Sequence, residues 1–133
     1  MRALIATALI LNISFASVVD DYLSSLKQEV LKTEPNFKTF DAKKGEEIFK
    51  SKHIGKKGKE ISCESCHTTN LANSGENIFT GKPIEPLSPK ANPKRLTDIS
   101  EIEKWLKRNF NDVYNKEGTP MEKGDVITYI MSK

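Results

Sequence analysis

The run Cys63-Glu64-Ser65-Cys66-His67 has the spacing needed to tether a porphyrin through two thiols and ligate its metal through an imidazole. Each thiol can form a thioether with one vinyl group. The residue directly after the second thiol then offers a nitrogen to the iron from one face. A chain tethered this way must wrap its remaining length around a flat apolar plate. These two cysteines are the whole thiol inventory. The competing uses are a disulfide or a thioredoxin-like redox pair, and both the adjoining His67 and the lack of a surrounding βαβ pattern argue against them. A Cys2His2 zinc site would need another histidine nearby, and His53 is the only other one. The reading is one covalent haem c on Cys63 and Cys66, with His67 as proximal iron ligand.

At 133 residues the chain has the length of one domain. Its 37% hydrophobic content makes a modest core, to which a porphyrin would add a large apolar surface. The opening MRALIATALILNISFASVVDD has the layout of a secretory leader. Arg2 is the short positive region, Ala3 to Phe15 is the apolar stretch, and Ser14 and Ala16 are the small residues before a cleavage point. An uncleaved anchor fits less well, because a span takes about 20 apolar residues and Asn12 interrupts this one. The expectation is a signal peptide at 1–16, cut after Ala16, and a soluble monohaem cytochrome c domain at 17–133. Export to the periplasm agrees with covalent haem attachment, which takes place outside the cytoplasm.

The formal charge of +3, from 21 basic and 18 acidic residues, is too small to argue for nucleic acid, and no groove-reading motif is present. Lys43, Lys44, Lys50, Lys52, Lys56, Lys57 and Lys59 all lie just upstream of the haem motif. They read either as a rim that steers an acidic redox partner or as an ordinary solvated face.

Helical periodicity covers most of the remaining chain. Val19, Tyr22, Leu23, Leu26, Val30 and Leu31 recur at helical spacing up to Pro35. Asp41 can cap a second helix, Ala42 to Lys50, in which Gly45 shares a face with Phe49 and lets another helix approach closely. The Gly/Lys-rich segment His53 to Glu60 reads as a loop. From Thr68 to Pro93 no period holds, as expected for a loop packed on an apolar disc. Ser100 and Glu103 form a capping box for a helix from Glu101 to about Phe110. Its apolar stripe carries Ile102, Trp105 and Leu106, with Asn109 as the polar exception. Thr119 and Glu122 repeat the capping signal, with Pro120 at the first helical position, ahead of a last helix to about Met131. No strand alternation or internal repeat is evident. The fold class is all-α: a cytochrome c-like helical domain around one haem, with an extra N-terminal helix.

Function turns on the iron's other face, for which the sequence offers Met121, Met131, His53 and Asn109. His/Met ligation is usual in small electron-transfer cytochromes. The capping box, however, puts Met121 in the first turn of the last helix rather than on a preceding loop. Met131 is next to the C-terminus. His53 would give a bis-imidazole haem, but it lies upstream of the motif in a glycine- and lysine-rich segment. Asn109 reads as a distal candidate, a helix C-terminal cap or a propionate partner, and the residues alone leave these open. No second metal site and no proton-relay pair is evident, so any enzymatic turnover would rest on the haem alone.

From Asp41 to Lys133 the chain resembles a small family of exported monohaem cytochromes, that of the sphaeroides haem protein and cytochrome c″. Beyond the haem motif, the likeness rests on Thr80-Gly81-Lys82, Pro86-Leu87, Arg95, Thr97-Asp98, Glu103-Lys104-Trp105-Leu106, Arg108-Asn109, Thr119-Pro120 and Glu122-Lys123. The resemblance implies that Asn109 is the distal ligand of ferric iron, where the cytochrome c″ branch has histidine. It implies a high-spin haem whose Asn109 ligand is lost on reduction, and diatomic gas binding (O2, NO, CO) in the reduced state. It also implies electron exchange with a partner such as a dihaem cytochrome c or a membrane cytochrome b. The alternative is an ordinary electron carrier with Met121 or His53 as permanent sixth ligand. The family carries a disulfide beside the distal ligand, and this chain has Phe110 and Gly118 at those places. Phe110 is expected to substitute for the bridge by packing.

Overall fold

The computed structural model describes residues 17–133, and the expected signal peptide at 1–16 lies outside the described residues. Helices dominate: α1 (Val18–Thr33), α2 (Ala42–Lys50), α3 (Glu64–His67), α4 (Ile99–Tyr114) and α5 (Pro120–Met131). Between α2 and α4 in sequence lie two antiparallel hairpins of two-residue strands. β1 (His53–Ile54) pairs with β2 (Glu60–Ile61), with His53 opposite Ile61. β3 (Gly75–Glu76) pairs with β4 (Pro83–Ile84), with Gly75 opposite Ile84. The all-α expectation holds in outline. The first hairpin corrects the reading of His53–Glu60 as a plain loop and the second adds pairing within the Thr68–Pro93 stretch, because strands this short show no alternation. Among the described residues, no helix is long and apolar enough to cross a membrane.

Side-chain caps set most helix starts. Ser17 and Asp20 form a capping box at α1, Asp41 accepts from the amides of Lys43 and Lys44, and Thr119 and Glu122 close the box expected at α5. At α4 the cap is Asp98, which accepts from the Glu101 amide at 3.1 Å, so Ser100 lies inside the helix rather than at its start. The helix also outruns the expected end at Phe110. It continues to Tyr114 and stops at Asn115, which adopts the left-handed conformation suited to a C-terminal cap. Asn109 is therefore an interior residue of α4 and not its cap.

α5 is the central element, with Val126, Ile127, Tyr129 and Ile130 all buried. α1 packs on one part of it through Val19, Tyr22 and Leu26, and α2 packs on another. Burying each of these large apolar side chains contributes roughly 1.5–3 kcal/mol relative to exposure. α2 comes so near that a Cβ on Gly45 would stand 2.0 Å from the Asp125 carbonyl oxygen, as the shared face with Phe49 anticipated. Asp125 is itself buried, and its carboxylate accepts from the Asp41 amide at 2.8 Å, joining the start of α2 to α5. α4 makes its close approaches to α1 and β1. The apolar faces of α4 and α5 look into a shared cavity.

Candidate functional site

That cavity has a volume of about 340 Å³ and takes its walls from every helix except α1. α3 follows the β1–β2 hairpin and puts Cys63 and His67 on one wall; α2 adds Phe49, and the loop before α4 adds Leu87, Arg95 and Leu96. α4 contributes Ile102, Trp105, Leu106, Asn109 and Phe110, while α5 contributes Val126, Ile127 and Ile130. The lining surface is mainly apolar, as is usual for a cofactor site, although polar and charged residues such as Glu85, Asn92, Lys94, Asp98 and Glu101 also border it.

α3 is a single turn, and its position depends on close backbone contact. A Cβ on Gly75 would lie 1.9 Å from the Cys66 carbonyl oxygen, so the β3–β4 hairpin reaches the turn only because residue 75 is glycine. Cys66 itself does not line the cavity; it occupies the same turn as Cys63 and His67. Thr68, directly after His67, has φ 65° and ψ 173°, a region that residues with a Cβ rarely adopt. Its hydroxyl donates to the Asn70 carbonyl at 2.8 Å. Leu96 is also left-handed at φ 60°. Strained backbone of this kind persists where the surroundings over-determine it; here Leu96 lines the cavity itself and Thr68 directly follows the lining residue His67.

The electrostatics suit a neutral nitrogen donor. Burial, and then the nearby Arg95 charge, lower the His67 imidazole from 6.5 to about 4, so it keeps a free lone pair at neutral pH. Burial also pushes the Cys63 thiol up to about 12, with the neighbouring Cys66 thiol adding to the effect. Cys63 and His67 are half-buried, and they line the cavity. The Phe49 ring lies 6.0 Å from the imidazole between centroids. The Arg95 guanidinium donates to the carbonyls of Pro86 (3.0 Å) and Glu85 (2.8 Å), which fixes the loop ahead of α4.

The residues read from the sequence as distal candidates fall in different places. Asn109, half-buried on α4, lines the same cavity as His67. Met121 instead lines a groove between the end of α1 and the start of α5, with Val30, Thr33 and Pro120. Met131 is exposed at the end of α5. His53 stacks on Tyr114 at 4.1 Å and shares a 2.9 Å hydrogen bond with the Ser51 hydroxyl. Phe110 and Gly118 meet face to face, since a Cβ on Gly118 would lie 2.7 Å from the Phe110 ring. That is the packing expected of the pair.

These residues fit a porphyrin. A thiol, a neutral imidazole and a carboxamide share one mainly apolar cavity, with the second thiol in the adjoining turn. Sequence reasoning missed Arg95 as a site residue in its own right and did not foresee Leu96. A lone arginine in an otherwise patternless stretch was the available signal for the first; backbone conformation left none for the second.

Comparison with known proteins agrees. The family model described as "Domain of unknown function (DUF1924)" matches residues 35–130. Cytochrome c″ of Methylophilus methylotrophus is 43% identical over 89 residues, covering 67% of this chain and 62% of that protein. The matched part of this chain thus spans less than two thirds of that relative's length. The cytochrome c-type protein SHP of Cereibacter sphaeroides is 40% identical over 93 residues, covering 70% of this chain and 71% of that protein. The solved structures of both are similar to this one. Oxidised cytochrome c″ superposes with a TM-score of 0.78 at 34% identity, over 87% of this chain and 94% of that one. Oxidised SHP, an oxygen-binding cytochrome c, gives 0.77 at 31% identity, over 90% and 100%.

Proposed function

The chain belongs to the DUF1924 family and is a c-type cytochrome, and from that footing we propose that it holds one haem c with a distal ligand released on reduction. In this reading Cys63 and Cys66 would hold the group by thioethers, His67 would be the proximal iron ligand, and Asn109 the distal one. When bound, the haem supplies electron exchange and, once reduced, a coordination position for a diatomic gas such as O2, NO or CO. Asn109 offers a neutral carboxamide oxygen, a hard and weak donor. It would suit the more highly charged oxidised iron better than the reduced one, so its hold would weaken on reduction. Once free, its amide N–H groups can donate a hydrogen bond to a small ligand. Leu106, Phe110 and Ile127 keep the surroundings apolar, which limits water and strengthens that bond.

The observation that carries this reading is the shared cavity. Asn109 and His67 line it, whereas Met121, Met131 and His53 do not. The relative SHP is described as oxygen-binding, in keeping with a gas-accessible site. The reading includes a leader at 1–16, a monohaem domain at 17–133 and a periplasmic location. Electrons pass to and from a redox partner protein, with a dihaem cytochrome c or a membrane cytochrome b as the expected class.

The test is an Asn109 series on purified holoprotein. Asn109→His is expected to give a low-spin haem that resists CO when reduced. Asn109→Ala should leave the ferric site open to added imidazole, which the wild type takes up more weakly. An Asn109→Ala protein with the wild-type ferric spectrum and imidazole affinity would refute the assignment.

A further inference from the structure

His53 has no part in the cavity, yet it ends a continuous column of rings that leads to Asn109. Its imidazole stacks on Tyr114 with centroids 4.1 Å apart, and Tyr114 lies 5.6 Å from Phe110. Phe110 follows Asn109 directly in α4, lines the cavity and presses a ring face on Gly118. Polar contacts hold the column at Tyr114 and in the neighbouring residues of α4. The Tyr114 hydroxyl donates to the Ile48 carbonyl at 2.6 Å, which anchors the end of α4 to α2. The Asn115 side chain donates to the Ile54 carbonyl at 2.8 Å, and the Lys56 amide donates to the Asp112 carbonyl at 2.9 Å. The last turns of α4 are thus clamped between the β1–β2 hairpin, the end of α2 and the α4–α5 turn.

From this we infer that His53, Tyr114 and Phe110 act as positioning residues that set how readily Asn109 leaves the distal position. The inference rests on the distal role of Asn109 given above. A carboxamide is held weakly, so a small movement of the helix turn that carries it changes its occupancy. The ring stack resists that movement. Tyr114 is the middle of the stack and touches both other rings, whereas His53 makes a single ring contact. Loss of Tyr114 therefore removes two aromatic pairs and loss of His53 removes one.

The test measures imidazole affinity of the ferric holoprotein, with spin state as the companion signal. Affinity should rise roughly threefold in His53→Ala and roughly tenfold in Tyr114→Leu, in step with one and two ring pairs lost. His53→Phe preserves the ring and should stay near the wild type, whereas Tyr114→Phe keeps both ring pairs but loses the bond to the Ile48 carbonyl and should fall between the wild type and Tyr114→Leu. In an Asn109→Ala background the same substitutions should have no effect, because nothing remains for them to position. If Tyr114→Leu does not fold, the His53→Ala and His53→Phe pair decides the matter alone. Equal effects with and without Asn109, or no effect in either, would overturn the inference while leaving the Asn109 assignment intact. An Asn109→Ala protein with the wild-type ferric spectrum and imidazole affinity would instead remove that assignment, and this inference with it.

Discussion

Gly45→Ala tests the packing that holds the cavity's inner wall. The added methyl would stand 2.0 Å from the Asp125 carbonyl oxygen, 2.5 Å from its carbon and 2.9 Å from Tyr129 Cβ. Ordinary contact begins at 3.4 Å, so α2 and α5 must separate by roughly 1.4 Å over that contact. The obstacle is backbone and cannot rotate aside. Overpacking of this kind costs about 1–3 kcal/mol, and alanine returns at most about 1 kcal/mol of helix propensity. Separation also loosens Phe49 and Tyr129, whose rings lie 5.4 Å apart and are both about 2% exposed. With the loosened ring pair added to that balance, we expect a net loss of about 1–2 kcal/mol. Phe49 faces His67, so the haem spectrum should broaden as well. The assay is urea unfolding of holoprotein, followed in parallel by circular dichroism and haem absorption. A midpoint equal to or above the wild type would show that helix propensity outweighs the clash, and the close packing of α2 on α5 would be refuted.

Burial raises the Asp125 carboxyl above its ordinary 3.8, against the opposing effects of the Asp41 amide and Lys44. The folded state therefore prefers the protonated acid, and stability declines as pH rises through that raised value. Asp125→Asn keeps an oxygen for the Asp41 amide without the buried charge, so it should be at least as stable as the wild type at pH 7, with the difference fading on acidification towards 3.8. Denaturant midpoints across pH check this, and a large loss at pH 7 would contradict it. Met121→Ala should leave the ferric and ferrous spectra unchanged, because Met121 lies in the groove between α1 and α5. Loss of a ferric ligand band in that variant would reverse the ligand assignment. Thr119→Ala removes the α5 cap, with its 3.2 Å bond from the Glu122 amide, and should lower stability by about 1 kcal/mol in thermal unfolding without moving the spectrum.

The sequence was most informative where chemistry or geometry is local. The haem motif, the caps Asp41 and Thr119, and the close approach at Gly45 depend on neighbours in the chain or on one helix face, and each was legible. At α4, two capping residues stand close together, and the sequence reading took Ser100 where the backbone uses Asp98. The sequence reading ended this helix at about Phe110, but contacts of Tyr114 with Ile48 and of Asn115 with Ile54 carry the helix further. Those contacts span 66 and 61 residues, beyond the reach of any local pattern. His53 shows the same limit. Its composition suggested a ligand, and only the fold turns it towards Tyr114.

The most direct measurement is CO mixing with the dithionite-reduced wild-type holoprotein, after its ferric spin state has been recorded. The account expects a high-spin ferric haem and rapid, saturable CO uptake on reduction, because Asn109 has left the distal position. A low-spin ferrous spectrum that ignores CO would contradict it, since a strong sixth ligand would then persist in both oxidation states.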